Sequence, residues 1–146
     1  MLQTVFRIVV VFIAYSIFGA AMEHVAYTLG QLLSANAPKK AWINPVITGF
    51  PLYGLAALYI LFAKTKIVEK YKLSVGAEFL LYSTSITLIE LLTGYYVGAG
   101  KNSHLANGEV ESWDYSNNFL NFDGKIDVLH AIVYGFIGLF IAKIGF

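Results

Sequence analysis

Three carboxylates stand inside apolar runs of this chain: Glu23, Glu78 and Glu90. An ionisable side chain in such surroundings is costly, and where one persists it faces a bundle interior or a wet cavity rather than hydrocarbon. Glu23, with His24 beside it, and Glu90 have the chemistry of a proton or cation site. The same acids can instead be anchors, held by hydrogen bonds from neighbouring amides and hydroxyls. Glu78 is close in sequence to a lysine-rich segment and can reach water or Lys72. Later in the chain Asp123, Asp127, His130 and Tyr134 follow helical spacings of four, three and four, so they can share one polar stripe. Carboxylates at a helix N-terminus are also favoured by the helix dipole alone. The chain has no cysteine and no His-x-x-x-His pair, so neither a metal nor a cofactor is expected.

Catalysis and nucleotide binding find little support. Val97-Gly98-Ala99-Gly100-Lys101-Asn102 brings a phosphate loop to mind, but that loop needs Gly where Tyr95 stands and Ser or Thr where Asn102 stands. There is no nucleophile elbow. Glu23 and His24 are adjacent, so on a helix they point about 100° apart. The expectation is a protein that is not an enzyme and has no catalytic residues.

The elements that must position these acids follow from composition. The 146 residues are 58% hydrophobic and 13% charged, against about 45–50% and about 25% for an ordinary soluble domain. Ten Lys and Arg nearly balance nine Asp and Glu, which leaves no basic footprint for nucleic acid. Four apolar runs remain, each near the length of about 20 residues that crosses a bilayer. Arg7, the run Ile8 to Phe18 and Gly19-Ala20-Ala21 have the form of a signal peptide, but apolar character resumes after His24 and continues to Leu33.

The predicted fold is all-α: an integral membrane four-helix bundle in a single domain, 1–146, with spans at about 4–33, 46–63, 74–97 and 126–144. Pro45, Gly49, Pro51 and Gly54 predict a break in the second span. Lys64, Lys66, Lys70 and Lys72 read as a short basic connection after it. Ser83, Thr87, Glu90 and Gly94 share a face of the third span that should look inward. An ordered cap should lie between spans three and four, where Asp114 can accept from Lys125. Trp113 and Tyr115 there read as interface anchors or as stacking surfaces for a ligand. Arg7, the four lysines of the second connection and Lys143 fall on one side, against Lys39, Lys40, Lys101 and Lys125 on the other. The positive-inside bias then places both termini in the cytoplasm and the cap outside.

Four blocks carry a family likeness. They are Tyr15-Ser16-Ile17-Phe18-Gly19 with Glu23, then Pro51-Leu52-Tyr53-Gly54, then Glu90-Leu91-Leu92-Thr93-Gly94-Tyr95, and last Trp113-Asp114-Tyr115-Ser116 with Asn121 and Gly124-Lys125-Ile126. In this order they resemble the CmpB-like ABC-transporter permeases, small multi-pass bacterial membrane proteins. Where that family has an Asn-Arg-Gly run, this chain has Ile43-Asn44-Pro45 and no arginine. The resemblance implies a permease-like subunit of the inner membrane, and the polar residues within the spans, Glu23, His24, Glu90, Asp127 and His130, are its candidate buried polar site. The motif residues Pro51, Tyr53, Gly54, Gly94, Trp113 to Ser116, Asn121, Gly124 and Lys125 then serve as structural supports. Its surroundings would be the lipid bilayer and protein partners, either further copies or a larger complex. The alternative is a non-transporting accessory subunit of such a complex.

Overall fold

The computed structural model describes residues 2–33 and 50–145. Four helices make the bundle. Helix α1, Leu2–Leu33, is a single apolar rod. Helix α2, Phe50–Ala63, continues through a π-helical turn at Lys64–Val68 and a last α turn at Glu69–Tyr71. Helix α3 is Val75–Tyr96 and α4 is Val128–Ile144. The first three are long and apolar enough to cross a membrane, while α4 has 17 residues, which is about 26 Å of helix against a hydrocarbon core of about 30 Å.

The second span corrects the sequence reading at its far end. Lys64 to Tyr71 is helix rather than connection, so the hydrophobic rod runs from Pro51 to Tyr71. The lysines do not stop it because their side chains can reach past the apolar stem to water. Pro51 is the second residue of α2, where a missing backbone N–H removes no helical bond. The expected break at Pro45 and Gly49 lies outside the described residues, as does the Ile43-Asn44-Pro45 departure. A left-handed Lys72, with φ 50°, ends the rod, and the Ser74 hydroxyl starts α3 by accepting from the Ala77 N–H at 3.3 Å.

Packing is pairwise. Helix α1 lies against α2, α3 against α4, and α2 against α4 joins the two pairs. Small residues set these distances. A Cβ on Gly54 would overlap the Ser16 hydroxyl and the Phe12 carbonyl, and one on Gly138 would overlap the Tyr82 ring. Ala57, Ile60, Ala63, Tyr82, Ile86 and Ile141 form the core where α2, α3 and α4 meet. Helix α1 is different, since Phe6, Ile13, Ile17, Phe18 and Met22 all face outward. On a soluble protein such a face would be an aggregation site; in a bilayer it is solvated by lipid chains.

The cap over the α3–α4 end has one small sheet. Asn121–Phe122 (β1) pairs antiparallel with Ile126–Asp127 (β2). Asp123 and Gly124, at φ 55° and 64°, make the turn, closed by Lys125 N–H donating to the Phe122 carbonyl at 3.0 Å. Two successive left-handed residues are the requirement of a type I′ turn, and Asp-Gly is a preferred pair for it.

Candidate functional site

The polar face predicted on α3 does look inward. The Ser83 hydroxyl donates to the Ala131 carbonyl of α4 at 2.7 Å. Glu90 sits two turns on, and its Oε1 accepts from the Tyr134 hydroxyl of α4 at 2.5 Å and from the Tyr115 hydroxyl of the cap at 3.1 Å. Its Oε2 is buried with no hydrogen-bond partner among the described residues, and so is the Thr87 hydroxyl one turn earlier. Gly94, at the top of the same face, is where Trp113 and the Lys125 stem come close.

Glu23 occupies a matching place in the other helix pair. Its Oε2 accepts from the Tyr53 hydroxyl of α2 at 2.5 Å. Tyr53 is in turn close enough to Tyr134 for the two to interact electrostatically. The acids of the two pairs are thus each tied to a tyrosine, and the tyrosines approach one another where α2 meets α4. His24 does not share this burial, because it is exposed on α1. The expectation of a buried His24 is corrected by helix geometry, which turns the next residue about 100° away.

Asp127 is 3% exposed and caps α4. Its Oδ1 accepts the His130 N–H at 2.8 Å, and its Oδ2 meets His130 Nδ1 at 2.7 Å and the Asn118 amide at 2.5 Å. The His130 ring lies flat on Tyr115, with centroids 4.2 Å apart, and 6.2 Å from Tyr134. The predicted stripe therefore holds for Asp127, His130 and Tyr134. It fails for Asp123, whose carboxylate instead pairs with Lys125 at 2.6 Å, since the hairpin turn carries it off the helix axis.

That pairing also corrects the expectation for Asp114. Its Oδ1 takes the Ser116 N–H at 2.8 Å and hydroxyl at 2.5 Å, and its Oδ2 meets His104 Nε2 at 2.7 Å. Burial alone would raise this carboxyl. The bonds from Ser116 and His104 outweigh it and hold the group below the usual carboxylate range. Trp113 is buried too, its indole N–H donating to the Lys125 carbonyl at 2.7 Å. Asn121 closes the cap by donating to the Ser116 and Asn118 carbonyls and accepting from the Gly124 N–H.

Sequence reasoning missed a second polar layer. Lys64 Nζ lies 3.1 and 3.2 Å from the two Glu78 oxygens, and the Tyr82 hydroxyl donates to Glu78 at 3.0 Å. Glu78 is expected from sequence to reach water or Lys72; it is 6% exposed and its partner is Lys64. The Tyr59 hydroxyl reaches Ser85 at 2.7 Å on the same side of α3. The signal was present in the i, i+4 spacing of Glu78 and Tyr82, but the lysine becomes visible only once the second helix is known to continue.

Among the described residues no group of three or more His, Cys, Asp or Glu could hold a metal ion. A family model described as "Putative ABC-transporter type IV" matches residues 10–145. No curated protein and no solved structure matches.

Proposed function

The chain belongs to the family described as "Putative ABC-transporter type IV", and on that premise we propose that it is a permease-like subunit whose polar site is the Glu23 and Glu90 region between its helices. It sits in a bacterial inner membrane with both termini cytoplasmic and the cap outside, as the lysine distribution favours. The observation that carries the reading is the Glu90 carboxylate, buried in a helix that crosses the membrane, with one oxygen saturated by two tyrosines and the other unmatched. A purely structural acid is expected to have both oxygens satisfied. An unmatched one is the mark of a site that trades a partner. These 146 residues hold no phosphate loop, so nucleotide hydrolysis would lie outside them.

A second reading rests on α1, whose outward apolar face and one-sided packing suit an accessory subunit docked in a larger membrane complex. Gentle-detergent purification from native membranes, with mass spectrometry of what co-elutes, separates the two. A nucleotide-hydrolysing chain in fixed ratio supports the permease subunit. A large assembly of unrelated chains supports the accessory one.

A further inference from the structure

The surroundings of Glu90 narrow what this site can take. Among the described residues the titratable groups around it come from three helices and the cap. Helix α4 brings Tyr134, with His130 stacked on Tyr115; the cap brings Tyr115 and Asp127; α2 brings Tyr53, which is within electrostatic reach of Tyr134 and whose hydroxyl donates to Glu23 of α1. Lys125 is the nearby cation of the cap. Its ammonium is turned away, 2.6 Å from Asp123 and 4.5 Å over the Tyr95 ring. No described lysine or arginine contacts Glu90, and Asp127 is within electrostatic reach of it. Among the described residues the donors on Glu90 are thus two tyrosine hydroxyls, both on Oε1, and Oε2 is bare.

The bare atoms on this face are Glu90 Oε2 and Thr87 Oγ1. A hard divalent cation such as calcium takes six to eight oxygens, far more than are free here. A proton needs one lone pair. It would remove the charge from a carboxylate whose Oε2 is buried with no donor among the described residues. We propose that the species this site takes is a proton, bound at Glu90 Oε2. The O–H bond forms at Oε2 and the carboxylate charge is lost; on release the charge returns and is stabilised through Oε1 by Tyr115 and Tyr134. This rests on the reading of the Glu90 region as a functional site and supplies its substrate class.

Infrared spectroscopy of the purified full chain, titrated in detergent from about pH 4 to about pH 9, spans the range in which a perturbed carboxyl changes state. The expected result is a carboxylic-acid carbonyl band that titrates within that range, is absent in Glu90→Gln and persists in Glu23→Gln. Two milder variants guard against a Glu90→Gln chain that fails to fold. Tyr115→Phe removes a donor to the ionised form and should move the midpoint up. Asp127→Asn keeps a good helix cap but removes a neighbouring negative charge. It should move the midpoint in the opposite sense. A band that no Glu90-region variant alters, or its absence throughout, overturns the proposal. Transport lost in Glu90→Gln with no titrating band overturns the proton and leaves the transport reading. A titrating band with transport intact in Glu90→Gln upholds the proton and overturns transport instead.

Discussion

Trp113→Phe should open the cap without dissolving the bundle. The indole N–H donates to the Lys125 carbonyl, both residues are buried, and the indole edge packs at Gly94. Phenylalanine keeps an aromatic ring but has no donor. Leaving a buried carbonyl unsatisfied costs about 1–3 kcal/mol, and the volume lost beside Gly94 adds about 1 kcal/mol. The sum, about 2–4 kcal/mol, corresponds to a rise of about 30-fold to 1,000-fold in the population of open cap. Hydrogen exchange reads this directly. The Gly100 N–H donates to the Trp113 carbonyl and the Tyr115 N–H to the Gly124 carbonyl, and both amides should lose protection by that factor. Amides in the middle of α3 should keep theirs. Unchanged exchange at Gly100 and Tyr115 would refute the claim that Trp113 locks the cap; equal loss across α3 would show that cap and bundle open together.

Other perturbations test other layers. Asp114 is held below its ordinary range in the folded cap, so its contribution is present above the unfolded value of about 3.9 and disappears as pH falls through the folded value. Cap protection measured by exchange should therefore fall in acid, and Asp114→Asn should flatten that limb. Lys64→Met leaves Glu78 buried with Tyr82 alone, which should cost about 3–5 kcal/mol in detergent unfolding, and adding Glu78→Gln should restore part of it. A second mutation that restores nothing would argue against the pair. Gly138→Val should drive a side chain into Tyr82 and destabilise by at least about 1–3 kcal/mol. Gly76→Ala, in open space in the first turn of α3, should be neutral or stabilise by up to about 1 kcal/mol.

Local pattern carried much of this architecture. The face of Ser83, Thr87, Glu90 and Gly94 was legible because helical periodicity places residues of one face at fixed spacing, and the partners they meet lie on the next span and the cap. The same spacing rule gave Asp127, His130 and Tyr134. What spacing could not supply was the identity of partners across helices. Tyr53 stood out as part of a motif, yet its bond to Glu23 spans thirty residues and depends on how close Gly19 and Gly54 let α1 and α2 approach. Lys64 was hidden for a different reason, since a run of lysines reads as a connection, and only a continuous helix puts one of them opposite Glu78. The exchange of partners at Asp114 and Asp123 came from the hairpin turn. An Asp-Gly pair before Lys125 was the available sign of that turn, because two left-handed residues fold Lys125 back over Asp123.

Glu90 is proposed as a working site and not an anchor. It is tested most directly in proteoliposomes holding the protein with whatever chain co-purifies from native membranes, loaded with a pH-sensitive dye and given an outward pH step. The wild-type chain should relax the gradient, and Glu90→Gln should abolish this while unfolding in detergent at the wild-type temperature. Equal relaxation in the two, or a loss that accompanies a collapse in thermal stability, would contradict it.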